Sequence, residues 1–149
     1  MIRTDAEYQD AMKRLQQDRA VIQGQRERLK EMDLQDSEVD RALEPSLAFH
    51  EQLREEVEVY ERMRRGDISP IESLNEIGRV LIGLRIARGI TQRQLAERMN
   101  VSESQVSRDE RNDYHGITVD RAHRIVMALQ GKVRVEAEAP IEDDMLVSV

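Results

Sequence analysis

The amino-acid sequence predicts an all-α fold. Apolar residues recur at helical spacing along most of the chain, and helix-start signals precede nearly every such segment. The 39% hydrophobic content includes no Trp and only one Phe, so the core must be built from Leu, Ile, Val, Met and Ala, a composition that favours helices. At 149 residues the chain has room for one small domain and an extension.

Residues 1–66 are predicted to form the extension, a helical arm. Thr4 and Glu7 have the spacing of a capping box that opens the first helix. A polar connector at 33–37 precedes a second amphipathic helix, whose start Pro45 is expected to kink or delay. The stripe of the first helix consists of Tyr8, Met12, Leu15, Ile22 and Leu29, with Arg19 and Arg26 interrupting it. Two helices of similar length joined by a short loop favour an antiparallel hairpin.

Two interpretations of this hairpin stay open. It is either a coiled-coil arm that forms a dimer or binds a partner, or a hairpin that folds back on the domain that follows. The narrow stripe on long helices favours the arm, because a lone hairpin would bury too little apolar surface to offset the conformational entropy that it loses. The acidic run at 55–61 is either a solvated helix face or a surface for a basic partner.

Residues 67–131 are predicted to form a compact helical domain. Ser69, Pro70 and Glu72 supply an N-cap, a first-turn proline and a capping-box partner for its first helix. That helix carries an apolar stripe at Ile71, Leu74, Ile77, Leu81 and Leu84, and Gly89 is expected to end it. Thr118 caps the last helix, which ends at Gly131.

The middle of this domain has the pattern of a helix-turn-helix. Thr91 with Gln94 and Ser102 with Gln105 are two capping boxes eleven residues apart, so two short helices follow one another with a three-residue turn between them. Asn100 lies in the turn, where Asn tolerates a left-handed backbone better than most residues do.

Residues 84–110, LRIARGITQRQLAERMNVSESQVSRDE, resemble the phage-repressor helix-turn-helix family of the lambda repressor and Cro type, also called the xenobiotic-response-element family of bacterial transcriptional regulators. The likeness extends over about residues 74–129. It is carried by Arg–Gly–x–Thr–Gln at 88–92 and by Val–Ser–x–Ser–x–Val–Ser–Arg at 101–108. The chain departs from the pattern at Asn100, where Gly is usual, and at Asp109, where an apolar residue is usual. Two alternatives stay open for Asp109. Either it faces solvent because the second motif helix ends early, or its carboxylate pairs with a neighbouring Arg.

The resemblance implies a DNA-binding role for the exposed face of the motif. Gln92 and Ser102, at the starts of the two motif helices, would hold DNA phosphates. Glu103, Ser104 and Arg108 would read base edges in the major groove.

Further candidate DNA contacts lie around the motif. Ser107 either touches bases or phosphates or permits a close approach of the helix. Arg93 and Arg98 either contact phosphates or are solvated, and the same choice applies to Arg79 and Arg88. Tyr114 either contacts the DNA backbone or caps the loop that follows the second motif helix. The resemblance implies that Arg85 and Glu110 form a structural ion pair.

Charge supports DNA binding by the central domain alone. Residues 1–72 hold 12 Lys/Arg against 18 Asp/Glu, residues 73–132 hold 10 against 7, and residues 133–149 hold 1 against 5. Local charge sets the attraction for phosphates, so the overall net charge of −7 does not oppose this role. The excess of positive charge in residues 73–132 is small, which favours a dimer because a second copy doubles the basic surface.

Residues 132–149 are predicted to form a C-terminal strand and an acidic tail. Val133, Val135, Ala137 and Ala139 alternate with charged residues, which indicates a short β-strand that would need a partner, such as the same strand of a second subunit. A disordered acidic tail is the alternative for 132–139 and the favoured interpretation for 140–149.

These patterns favour a sequence-specific transcriptional regulator, expected to be a repressor that binds a pseudo-palindromic operator on double-stranded DNA as a homodimer. The alternatives are an antitoxin that binds a toxin protein and autoregulates its operon, and an adaptor whose arm recruits another protein. No enzyme activity, metal or cofactor is expected, since no Cys is present and three scattered His make no ligand cluster. The charged start and the absence of a long apolar run favour a cytoplasmic protein without a membrane segment.

Overall fold

The computed structural model describes residues 1–139. In that range the chain forms α-helices and one 3₁₀ turn and no strand, which confirms the all-α prediction. The helices are α1 (Asp5–Glu31), α2 (Asp36–Arg64), α3 (Ile77–Ala87), α4 (Gln92–Met99), α5 (Glu103–Arg111) and α6 (Val119–Ala128), and the 3₁₀ turn is Leu74–Glu76. No helix in this range is long and apolar enough to cross a membrane. The tail predicted at 140–149 lies outside the described residues.

Helices α1 and α2 form an antiparallel hairpin. The predicted capping box starts α1: Thr4 Oγ1 accepts from the Glu7 amide at 3.2 Å, and Glu7 Oε2 accepts from the Thr4 amide at 3.3 Å. The prediction that Pro45 delays the second helix is wrong, because α2 begins at Asp36 and continues through the proline. Pro45 and Arg41 are both exposed, so water can solvate the Arg41 carbonyl that the proline leaves without a donor.

The hairpin seam differs from the predicted stripe by one position. Ala11 is buried in it, whereas Met12 is 41% exposed. Polar Asp18, half-buried, interrupts the seam opposite His50, with 4.0 Å between Asp18 Oδ2 and His50 Nδ1. A stripe that repeats every 3.5 residues shifts gradually around a helix with 3.6 residues per turn. The apolar pattern alone therefore does not decide whether Ala11 or Met12 faces the second helix.

The base of the hairpin packs on the helical domain. Ile2, Val57 and Tyr60 belong to the same core cluster as Leu81 and Ile82 of α3. Farther out, Val39 and Leu43 are each 1% exposed but lie outside that cluster. The hairpin therefore folds back at its base, as the second interpretation expects, and its far half is held by α1–α2 contacts alone.

The predicted start of the third helix at Ser69 is wrong. Residues 69–73 are not helical, and α3 begins at Ile77 after the 3₁₀ turn capped by Ser73. The reason is the position of Ile68, whose side chain packs against Gly83 on α3. A continuous helix from residue 70 would place residues 70 and 83 about 20 Å apart, so the chain must turn back before the helix starts. Leu74, expected to be buried, is 65% exposed.

Apolar side chains from α3 to α6 form the core that positions the motif. The fully buried members are Leu81, Ile82, Leu95 and Leu129. The last helix begins as predicted, with Thr118 Oγ1 accepting from the Arg121 amide at 3.2 Å. It ends at Ala128, before the predicted Gly131, and Gln130 takes the left-handed conformation there, with φ 53°.

The structure assigns no strand to the segment that alternation predicts as one. Residues 132–139 have no regular secondary structure, and Val133 and Val135 lie along a groove shared with residues 68–74. Val135 is 68% exposed. A strand needs a partner's backbone to satisfy its amides, and no such partner lies within residues 1–139. Pairing with a second chain stays a prediction.

Two glycines should respond oppositely to alanine. A Cβ on Gly78 would lie 1.9 Å from the Asp113 carbonyl oxygen, so Gly78→Ala must push the loop after α5 away from α3 and should destabilise the protein by about 1–3 kcal/mol. Gly24 lies inside α1 with nothing within 4 Å of such a Cβ, so Gly24→Ala should stabilise it by about 0.5–1 kcal/mol. Urea unfolding of both variants measures the difference. Equal effects would contradict the close approach at Gly78.

Candidate nucleic-acid interface

Two capped helices and a left-handed turn build the motif. Thr91 Oγ1 accepts from the Gln94 amide at 3.1 Å and Gln94 Oε1 accepts from the Thr91 amide at 2.9 Å, which completes the first capping box. Asn100 ends α4 with φ 54°, the conformation that its place in the turn requires. Ser102 then caps α5 by accepting from the Gln105 amide at 3.2 Å.

The second capping box is one-sided. Gln105 does not return a bond to Ser102; its Nε2 donates to the two carboxylate oxygens of Asp109 at 3.1 and 3.2 Å. Asp109 also accepts from Arg121 of α6 at 2.5 Å. The carboxylate that departs from the family pattern thus pairs with an Arg, and α5 continues to Arg111.

Apolar contacts hold α4 and α5 together. Leu95, Ala96 and Val106 are 1%, 2% and 4% exposed. Ala96 is small, which lets the two helices approach. Val101, in the turn between the two helices, is 40% exposed and contributes little to this contact.

The opposite face of α5 is polar and open. Ser102, Glu103, Ser104 and Arg108 are all exposed, and Ser107 is half-buried beside them. Ser102 Oγ and Ser104 Oγ lie 3.2 Å apart at the start of the helix. The first backbone amides of a helix have no intrahelical acceptor, so this end attracts an anion such as a phosphate.

Arg108 is the long cation on this face. Its Nε donates to the Ser104 carbonyl and its Nη2 to Gln105 Oε1, each at 3.4 Å, near the long limit of a hydrogen bond. Weak contacts of this kind leave the guanidinium able to reorient toward a base edge.

Beneath this surface lies a buried ion pair between α3 and α5. Arg85 Nε donates to Glu110 Oε1 at 2.5 Å and Nη2 donates to Glu110 Oε2 at 2.8 Å, in the two-point geometry that Arg and carboxylate prefer. Arg85 is 3% exposed and Glu110 is 0% exposed.

The remaining donors of Arg85 tie further segments to the pair. Nη1 donates to the Ile90 carbonyl at 2.9 Å, and Nη2 also donates to the Arg3 carbonyl at 2.8 Å. One guanidinium therefore joins α3, the loop before α4, the second motif helix α5 and the segment before α1. The contact to Arg3 could not be found from the sequence, since nothing in the motif indicates that the N-terminal segment lies here.

Gln92 extends the same network to the surface. Its Nε2 donates to Glu110 Oε2 at 2.7 Å, and the residue is half-buried at the first position of α4. An amide nitrogen carries two hydrogens, so one remains for a phosphate once the first is bonded to Glu110.

Several basic residues have partners within the protein. Arg93 is exposed and pairs with Glu97 one turn on, at 3.4 Å. Arg88 donates to the Leu129 carbonyl at 3.1 Å and Arg98 to the Ala128 carbonyl at 2.8 Å. Arg88 and Arg98 thus bind the carbonyl end of α6, which favours a structural role over the phosphate contacts considered for them.

Tyr114 belongs to the core. It is 5% exposed in the loop after α5, and burial raises the pKa of its hydroxyl above the usual range. The DNA contact considered for it is not compatible with this placement. Its backbone has φ 51°, next to Asp113 at 50°, and the loop turns sharply toward Gly78.

Comparison with known proteins identifies the same region. Residues 82–134 match the helix-turn-helix family model, of the type found in Cro and the C1 repressor. The matched region begins within α3 and extends beyond α6, so it holds the motif and the Arg85–Glu110 pair. No curated protein and no solved structure matches the chain.

A double-mutant cycle tests the buried pair. Arg85→Met alone leaves the Glu110 carboxylate without its cation in a site that is 0% exposed, and we expect a loss of about 3–5 kcal/mol in the free energy of unfolding. Arg85→Met combined with Glu110→Leu removes the stranded charge, so the double variant should be more stable than Arg85→Met. Urea unfolding of the unmodified protein, Arg85→Met, Glu110→Leu and the double variant gives the four values that the cycle needs.

Arg93→Ala serves as the control for that cycle, because its ion pair is exposed; it should change stability by less than about 1 kcal/mol. A double variant that loses as much as the two single variants together would show that the pair has no coupling energy.

Proposed function

Residues 82–134 belong to the helix-turn-helix family of the Cro and lambda repressor type, whose members are DNA-binding transcription regulators rather than enzymes, and we propose that this protein is a repressor that binds a pseudo-palindromic operator as a dimer. The observation that carries the proposal is the polar, exposed face of α5. No other part of residues 1–139 covers Ser102, Glu103, Ser104 or Arg108.

The proposed division of labour follows the position of each side chain. Gln92 and Ser102 stand at the first turns of α4 and α5, where unpaired backbone amides and the helix dipole both favour a phosphate. Arg93 follows Gln92, and Ser107 lies in the second turn of α5 beside Arg108; both add contacts to the backbone of the duplex. Such contacts set the register of the protein on DNA and carry no sequence information.

Base recognition falls to the residues in the first two turns of α5. Arg108 reaches a guanine through its N7 and O6, the commonest specific contact in the major groove. Glu103 accepts from a cytosine amino group, and Ser104 is short enough to let the helix approach the bases closely.

The ion pair below gives this surface its rigidity. Gln92 is bonded to the same carboxylate that Arg85 holds, so the phosphate-binding end of α4 and the body of α5 share one anchor. A contact group that is already oriented loses less conformational entropy when it binds DNA.

A footprint on the DNA upstream of the protein's own coding region tests the proposal. A dimer should protect two half-sites whose centres are about 34–36 Å apart, one turn of the duplex. Protection of one half-site would indicate a monomer. Uniform weak protection without a preferred sequence would contradict the operator-binding proposal.

Arg108→Ala should lower affinity for the operator by about 1–3 kcal/mol and leave binding to random DNA nearly unchanged, because only base contacts distinguish sequences. Gln92→Ala should weaken both, since a phosphate contact is the same on every sequence. Fluorescence anisotropy on both duplexes at one salt concentration measures the ratio. An equal loss on both duplexes for Arg108→Ala would assign Arg108 to the DNA backbone.

The antitoxin function remains a second candidate, and the charge of α2 favours it. Asp40, Glu44 and Glu51 line one exposed side of that helix, which would suit a basic protein such as a toxin. Coexpression with the product of each adjacent gene, followed by purification of the complex, separates the two functions. A stable complex with a growth-inhibiting protein would favour the antitoxin.

A further inference from the structure

One side of the far hairpin is apolar and uncovered by the rest of residues 1–139. Val21 on α1 and Phe49 on α2 are 53% and 60% exposed. With Ile22 and Pro45 they line a shallow groove between the two helices, here called the Val21–Phe49 groove. Phe49 is the only phenylalanine in the chain, and the guanidinium of Arg14 lies over its ring at 5.3 Å from the centroid. Large exposed apolar side chains that adjoin one another mark a binding surface.

The two helices that flank this groove carry opposite charges. Residues 13–30 of α1 hold six Lys or Arg against two Asp or Glu, whereas residues 38–58 of α2 hold two Arg against seven Asp or Glu. A second hairpin is therefore attracted when its α1 lies over α2 and repelled when its α1 lies over α1.

We propose that the Val21–Phe49 groove docks a second copy of this chain, with α1 of each hairpin over α2 of the other in a four-helix bundle. The inference specifies the dimer in the proposed function and rests on it. Helices of 27 and 29 residues are about 40 Å long, and the base of the hairpin packs on the helical domain, so the far half of the two helices side by side offers about 400 Å² to a partner. That area is about half of what one side of a standard protein interface buries, which indicates a weak dimer whose pairing is directed by charge.

The register of the hairpin supports this docking. The Tyr8 hydroxyl donates to Glu61 at 2.7 Å, and Arg26 pairs with Asp40 at 3.3 Å. A residue of α1 therefore lies opposite the residue of α2 whose number, added to its own, gives between 66 and 69. Val21 is therefore nearly level with Phe49. When α1 of one copy lies over α2 of the other at the same level, Val21 of each copy meets Phe49 of the other.

The charge pattern also selects the orientation of the two DNA-binding domains. A two-fold axis parallel to the helices places α1 over α2 and leaves both domains at the same end of the bundle. An axis perpendicular to the helices would place α1 over α1 and the domains at opposite ends. Only the first arrangement lets both domains contact neighbouring half-sites on one duplex.

Phe49→Glu tests the surface, with Leu47→Glu as the matched control. Leu47 is 40% exposed on the same helix but lines the acidic side with Asp40 and Glu51. Sedimentation equilibrium of the full chain should show Phe49→Glu with a dimer dissociation constant raised more than about tenfold, and Leu47→Glu near the unmodified protein. Circular dichroism checks that both keep their helicity. Equal dimerisation of the two variants would overturn the proposal.

Cysteine cross-linking tests the arrangement, since the chain has no Cys of its own. Val21→Cys and Phe49→Cys proteins, mixed and oxidised, should form the heterodisulfide faster than Val21→Cys alone forms a homodisulfide. A preference for the Val21→Cys homodisulfide would mean that α1 lies over α1 and would reject the proposed dimer.

Failure of this dimer and failure of the proposed function give different results. If Phe49→Glu is still a dimer and still protects two half-sites in the footprint, DNA binding stands and the dimer surface lies elsewhere. If the unmodified protein cross-links as expected but protects no DNA, the bundle stands and the repressor function is rejected.

Discussion

The fold of the motif depends on one buried ion pair. Arg85 holds Glu110 at two points, and its other donors reach the carbonyls of Ile90 and Arg3. Removing two charges from water costs several kcal/mol, so such a pair is weak evidence for stability. Its consequence here is positional: the guanidinium fixes α5 against α3 and against the segment that leads into α1. Gln92 then carries this fixed geometry to the surface that we propose meets DNA.

This anchor connects the two parts of the chain. The hairpin contributes Ile2, Val57 and Tyr60 to the core around α3, and the Arg3 carbonyl to the ion pair. The base of the hairpin in residues 1–66 is therefore part of the packed helical domain rather than a separate arm. Farther out, only α1–α2 contacts hold Val39 and Leu43, and the exposed Phe49 lies in that part. The base would hold the domain, and the far half would be left to bind a second chain.

Local signals in the sequence predicted most of the motif. The caps at Thr91, Ser102 and Thr118 and the left-handed Asn100 are each decided within four residues, and the structure has them as predicted. The predicted start of α3 was wrong because Ile68 packs on Gly83, a contact that no local pattern reveals. Gln105 likewise bonds Asp109 because Arg121 draws that carboxylate toward α6. The roles of Arg88 and Arg98 depend on the distant carbonyls of α6. Features that depend on neighbouring residues could thus be predicted from the sequence, whereas features that depend on tertiary contacts could not.

The most direct test of the central claim is a nuclear magnetic resonance titration of the full chain with the DNA fragment that a footprint identifies. If α5 reads the bases while the buried pair keeps the motif fixed, amide shifts should concentrate at 91–94 and 102–108, and the Arg85 guanidinium signals should stay in place. Shifts centred on α6 or on the far hairpin, or displacement of the Arg85 signals, would contradict the account.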